Sequence, residues 1–160
     1  MMPFRWQTWS LRMICIVWGL CLSACASGPK PTRVQIDLQV MENINPDMNG
    51  RPSPVVVRLY ELNSLTAFNS ADFFSLYDKD RQTLGNELLA VQELSLMPDE
   101  RRQLKRTLQA DTRYLGVIAA FRDLEHSKWR SSMPIAPHKT TQFVIQLQGN
   151  QISIATPDSD

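Results

Sequence analysis

Three cysteines occur in the 160 residues, and none lies beyond position 25. Whatever follows Cys25 therefore has no disulfide framework, no thiol nucleophile and no thiolate metal site. Glycine is also sparse. Its six positions (19, 28, 50, 85, 116 and 149) are too scattered to write a phosphate-cradling loop or a Gly-x-Ser-x-Gly elbow. The two histidines, His126 and His138, lack a carboxylate–histidine pattern for zinc, and each reads as a surface residue. The formal net charge is only +1, so there is no basic field to attract nucleic acid or anionic lipid. The longest apolar run, Met13 to Leu22, is ten residues, whereas crossing a ~30 Å hydrocarbon core takes roughly twenty. Repeats and low-complexity segments are missing too.

What is present begins with that short run. Arg5 and Arg12 precede it, and Leu22-Ser23-Ala24-Cys25 follows it. A positive segment, an apolar segment and a small-residue site make the layout of a secretory signal peptide over residues 1–24. Removing Arg5 and Arg12 with it takes the net charge from +1 to −1. Residues 26–32, Ala-Ser-Gly-Pro-Lys-Pro-Thr, read as a short tether that together with Cys25 covers 25–32. The remaining length suits one domain, expected over 33–155, with a disordered tail over 156–160.

Within that domain the patterning is mostly of period two. Val34, Ile36, Leu38 and Val40 alternate with polar residues, which predicts a half-buried strand. Asn43 to Pro54 breaks every regular pattern, with Pro46, Pro52, Pro54 and Asn49-Gly50. It reads as a long loop stiffened by proline, the kind of element a rigid scaffold presents for function. Val55 to Leu62 predicts a central strand. Asn69 and Asp72 suggest a capping pattern for a short helix across Ser70 to Tyr77, with Phe73, Leu76 and Tyr77 on one face. Asn86 to Leu89 suggests a further helical turn, and Val91 to Leu96 a strand. Arg101 to Leu108 fits helix or strand equally. Tyr114 to Phe121 is apolar throughout and predicts a core strand, and Trp129 to Ser131 a short one. Gln142–Leu147 and Gln151–Ile154 flank Gly149-Asn150 as a hairpin. Six to eight strands with one helical insert predict a mainly β sandwich.

Chemistry is thin along this chain. Asp123 and Glu125, two apart on an extended strand, would share a face as an acid/base pair, although Arg122 and Lys128 nearby argue for plain ion pairing. Phe68, Phe73, Phe74 and Tyr77 would either plug one end of the core or line a pocket for a small ligand or glycan. The basic run Arg101, Arg102, Lys105 and Arg106 reads as a solvated face.

The ordered set of segments carries a resemblance. Leu22-Ser23-Ala24-Cys25 resembles the lipobox of bacterial lipoproteins. After it come Asn45-Pro46-Asp47-Met48-Asn49-Gly50-Arg51-Pro52-Ser53-Pro54 running into Val55–Leu62, then Ala71–Tyr77, then Gly116–Asp123 and Trp129-Arg130. Together they resemble the TssJ (SciN/VasD) family of outer-membrane lipoproteins of the type VI secretion system, over essentially the whole domain. One position departs from the family pattern: Pro98-Asp99-Glu100 stands where Pro-Gly-Glu is expected.

The resemblance implies a transthyretin-like β-sandwich with a small helical insertion and a structural, non-enzymatic role. It implies acyl chains on Cys25 and no other cofactor or metal. With Ala26 after the cysteine, it implies the outer membrane, with the domain facing the periplasm. The implied partners are the periplasmic C-terminal domain of TssM and, indirectly, TssL, with no nucleic acid. The implied partner-binding element is the loop between the first two strands: Ile44, Asn45, Pro46, Asp47, Met48, Asn49, Gly50, Arg51 and Pro52. Asp47 and Arg51 would supply orienting charge, and Ile44 and Met48 apolar contact. The resemblance also makes 101–108 a strand.

Overall fold

A computed structural model describes residues 29–157, which form two four-stranded sheets packed face to face. The first alternation becomes strand β1, Arg33–Val40, and Val55–Leu62 becomes β2. The chain continues as β3 (Leu88–Leu96), β4 (Arg101–Thr107), β5 (Tyr114–Ala120), β6 (Arg130–Pro134), β7 (Thr140–Gln148) and β8 (Gln151–Ala155). One sheet has the order β4-β1-β7-β8 and the other β3-β2-β5-β6. Within the first, β1 pairs antiparallel with β4 and parallel with β7. Successive strands β1 and β2 thus belong to different sheets, and the loop over 41–54 crosses from one to the other. The fold class read from the sequence stands.

The main core lies between the sheets. Val34, Ile36, Leu38 and Val40 of β1 and Phe143, Ile145 and Leu147 of β7 meet Val55, Val57, Leu59, Leu115, Val117 and Ala119 of the opposite sheet. Full burial of each larger side chain is worth roughly 1.5–3 kcal/mol. A second cluster sits on the outer face of β2 and β5. There Tyr60, Leu62 and Ile118 are covered by Phe68, Phe73, Leu76 and Leu84. Covering on both faces explains why β5 is apolar throughout rather than alternating. Gly116 permits this cover, because a Cβ there would stand 2.9 Å from Phe68 Cζ and 3.0 Å from Leu62 Cδ1.

The covering segment corrects the sequence reading. Instead of one helix over Ser70–Tyr77, three short helices form: α1 (Thr66–Ser70), α2 (Phe73–Asp78) and α3 (Asp80–Leu84). Asp72 caps α2, accepting from Ser75 N at 2.9 Å, whereas the amide of Asn69 is spent inside α1 on Leu65 O. The chain breaks between them because Ser70 Oγ donates back to Thr66 O, and Ala71 is extended. Two arginines then clasp the insert. Arg58 donates to Tyr77 O and pairs with Glu93 at 2.7 Å, and Arg130 donates to Phe68 O and Ala71 O. These guanidiniums satisfy carbonyls that short helices leave open.

Smaller differences lie at strand ends. The turn expected over Asn86–Leu89 is a 3₁₀ turn over Gly85–Glu87, and β3 starts at Leu88 rather than Val91. β6 runs to Pro134. Residues 101–107 are a strand, and the 149–150 hairpin forms as expected with Gly149 at φ +55°. Of the tail expected from 156, Pro157 shares the rim of a shallow concavity with Gln35, Lys105 and Val144 of the first sheet, and 158–160 lie outside the described residues.

Candidate functional site

Strand direction sorts the loops onto two ends. β1 leaves the end where the tether enters and arrives at the end carrying the β1–β2 loop, the β3–β4 turn, the β5–β6 loop and the β7–β8 turn. An eight-residue strand at about 3.3 Å per residue puts roughly 26 Å between the ends. Thr32, directly before β1, is bound in place at that first end: His138 N donates to its Oγ1 at 3.0 Å, and Leu108 N to its carbonyl at 2.9 Å. Cys25 lies outside the described residues.

At the opposite end the β1–β2 loop is held by hydrogen bonds as well as by its prolines. Asn45, 3% exposed and at φ +47°, is its pin. Its Nδ2 donates to Pro54 O at 2.8 Å, its Oδ1 accepts from Arg122 N at 2.8 Å, and its own amide donates to Gly149 O at 2.8 Å. One residue therefore ties the loop to itself and to two neighbouring loops, the carboxamide reaching Pro54 and Arg122 and the backbone amide reaching Gly149. The tip is a second knot. Asp47 Oδ1 accepts from Asn49 N and Arg51 N at 2.8 and 2.9 Å, and its Oδ2 meets the Arg51 guanidinium at 2.8 Å. The amide of Arg51, its guanidinium and the charge of Arg122 hold the Asp47 carboxyl below its ordinary value. Gly50 closes the turn at φ +75°.

These knots decide what the loop presents. Ile44, expected to offer apolar contact, is 0% exposed and belongs to the core between the sheets. Met48 is fully exposed at 103%, a large apolar side chain held out on a rigid turn. Asp47 and Arg51 neutralise each other. Beside them Arg122, Asp123 and Asn150 complete the rim of a concavity with Pro46 and Met48. The Oδ1 of Asn150 is buried there with no hydrogen-bond partner. Sequence reasoning missed Asn45 as a pin and Arg122 and Asn150 as neighbours. Only an asparagine directly before Pro46 hinted at the first, and the others are distant in the chain.

Other candidates come apart. Asp123 and Glu125 do not lie on a strand, because β5 ends at Ala120 and the chain turns. The hydrogen-bond partner of Asp123 is His126, whose Nδ1 lies 2.9 Å from Oδ1, not Arg122 or Lys128, and that bond lowers the Asp123 pKa. Phe68 and Phe73 are buried, with Tyr77 stacked on Phe73 at 5.3 Å, which leaves Phe74 as the exposed ring. The cluster is a plug over β2 and β5. Among the described residues no group of three or more His, Cys, Asp or Glu could hold a metal ion. Among them too, no helix is long and apolar enough to cross a membrane.

Comparison with known proteins bears on the whole domain. The family model for "Type VI secretion lipoprotein, VasD, EvfM, TssJ" matches residues 32–150. The T6SS lipoprotein TssJ1 of Pseudomonas aeruginosa is 40% identical, with a TM-score of 0.78 over 81% of this chain and 99% of that one. Serratia marcescens Lip, a membrane-bound component of the type VI secretion system, is 26% identical with a TM-score of 0.74, over 81% and 99%. A chain in the structure named "T6SS protein TssM C-terminal domain" from EAEC is 25% identical with a TM-score of 0.65, over 78% and 98%. No curated protein matches. The family is a lipoprotein component of a secretion machine and not an enzyme. By the extent of the family match and the 40% identity, the chain belongs to the SciN (VasD, EvfM, TssJ) family of type VI secretion lipoproteins.

Proposed function

We propose that the protein is a strap in the type VI secretion membrane complex. It is held by acyl chains on Cys25 in the outer membrane, with the domain facing the periplasm. Its β1–β2 loop binds the periplasmic C-terminal domain of TssM, and through TssM it is linked to TssL. The observation that carries this reading is the two-ended geometry. The tether enters at one end, and a knotted loop offering Met48 stands about 26 Å away at the other. A membrane anchor and a protein partner can then be held at once without competing for surface.

The chemistry of the tip supports a protein partner. A loop already fixed by the hydrogen bonds of Asn45 and Asp47 loses little entropy on docking, so more of the contact energy survives as affinity. Met48 supplies a central apolar anchor, and Arg122 and the Asp47–Arg51 pair a polar rim. Likeness to a chain in the TssM C-terminal domain structure supports the choice of partner. A glycan-binding role at the aromatic cluster has no such support, since Phe68 and Phe73 are buried.

Deleting residues 46–52 tests the loop assignment. The variant should keep its cooperative unfolding and lose capture by the TssM domain; capture that survives would overturn it. Cys25→Ser tests the anchor. That variant should leave the membrane fraction, and one that still fractionates with the outer membrane would contradict it.

A further inference from the structure

The two ends differ in charge as well as in role. At the loop end the two signs are interspersed: Arg51 pairs with Asp47 and Arg102 with Glu100, and exposed Arg101, Arg122 and Lys128 stand among Glu42, Asp99, Asp123 and Glu125. At the tether end Lys30, Arg33, Lys105, Arg113 and Lys139 are all exposed, and among the described residues none is in an ion pair. Register brings them together. Arg33 pairs with Thr107 and Thr140, Lys105 with Gln35, and Arg33 N donates to Lys139 O. Ile135 N bonds Arg113 O, which adds Arg113 to the same end. Opposing charge is limited there. Glu61 is buried against Arg106, Glu87 is tied to Ala67 N at 2.9 Å, and Asp111 is exposed. Asp158 and Asp160 lie outside the described residues. A net charge near zero therefore conceals a segregated basic face, which corrects the expectation that no basic field exists.

We propose that this tether end is a lipid-phosphate-binding face, lying against the headgroups of the membrane that holds the anchor. The inference rests on the reading of Cys25 as the acylated residue. The carbonyl of Lys30 is fixed to His138 Nδ1 at 3.0 Å. Cys25 is five residues earlier, so at full stretch the acyl-bearing residue is within about 17 Å of this face. An exposed cation feels a phosphate surface strongly only inside the ~8 Å screening length. So short a tether keeps the patch near that range. Attachment already comes from the acyl chains, so the patch acts on orientation. Held by its tether end, the domain stands upright and aims Met48 away from the bilayer.

The absence of thiols beyond Cys25 makes the test simple. Lipidated protein carrying Ala136→Cys, at the tether end, or Met48→Cys, at the loop end, is reconstituted into vesicles. The vesicles are phosphatidylcholine with or without phosphatidylglycerol. Labelling by an uncharged polyethylene glycol maleimide is measured relative to the same protein in detergent. Ala136→Cys should label several-fold more slowly on the phosphatidylglycerol vesicles. The difference should vanish in Lys105→Glu/Lys139→Glu, and in about 1 M salt, where screening shortens to roughly 3 Å. Met48→Cys should label equally on both. Equal rates for Ala136→Cys on the two lipid compositions would overturn the proposal. Protein left in the supernatant when the vesicles are pelleted would overturn the anchor reading, and the proposal with it.

Discussion

Replacing Asn45 by alanine removes the pin of the loop without touching its exposed tip. Two part-buried hydrogen bonds go, those to Pro54 O and from Arg122 N, both 2.8 Å long. An orphaned backbone group costs about 1–3 kcal/mol, with the lower figure for Arg122, which water can reach. Alanine at φ +47° adds roughly 1 kcal/mol over asparagine, which tolerates the left-handed region. The expected loss is about 3–5 kcal/mol out of a total of ~5–15. With a urea slope of about 2 kcal/mol/M, unfolding should show it as a midpoint lowered by about 1.5–2.5 M with an unchanged slope. Asn45→Gly restores the backbone conformation but not the bonds, and should be about 1 kcal/mol milder than Asn45→Ala. Amide exchange at Ser53, bonded to Ile44 O, should quicken in both. An Asn45→Ala midpoint indistinguishable from the parent would refute the pin. A glycine variant no milder than the alanine one would refute the conformational part.

Asp99 sits at φ +60° in the turn after Pro98, so Asp99→Gly should raise stability by about 0.5–1 kcal/mol in the same urea titration. Gly116→Ala should cost about 1–3 kcal/mol, because its methyl meets Phe68 Cζ at 2.9 Å, and calorimetry should show the lowered Tm. Asp47, Asp72, Glu100 and Asp123 all have pKa values lowered in the fold, chiefly by hydrogen bonds, with the Asp47 bonds coming from Arg51. A lowered folded pKa gives stability that is complete above the unfolded value near 4 and lost as pH falls through the folded value. Thermal scans should therefore change little from these groups between pH 5 and 7 and fall off below pH 4. A midpoint dropping steeply around pH 6 would contradict this. Burial pushes the Tyr60 phenol up to about 12, so ultraviolet titration compared with a Tyr60→Phe variant should show the Tyr60 phenol mostly un-ionised at pH 11.

Much of this architecture was legible because alternation and burial coincide. Val34 to Val40 and Gln142 to Leu147 each face one core and one solvent layer, so period two survives in the sequence. Tyr114 to Phe121 showed a strand covered on both sides but not what covered it. The insert was misread because its helices are five or six residues long, too short for periodicity to register. Its stability comes instead from Arg58 and Arg130, which reach it from distant strands. In the loop, the proline content announced rigidity and Asn49-Gly50 a turn. Which side chains point outward depended on Asn45 bonding a residue 77 positions away. That placed Ile44 inside and Met48 outside, a distinction no local pattern contains. The basic end stayed hidden because its cations come from β1, β4 and the β4–β5 and β6–β7 connections, which only the fold assembles.

The two-ended account is tested most directly by recruitment to a membrane. Lipidated protein on vesicles should bring the soluble TssM C-terminal domain into the pellet. Met48→Asp should abolish that recruitment while leaving vesicle attachment and the unfolding midpoint unchanged, since the side chain is fully exposed. Undiminished recruitment by Met48→Asp and by the 46–52 deletion, with the protein still folded and attached, would contradict the account.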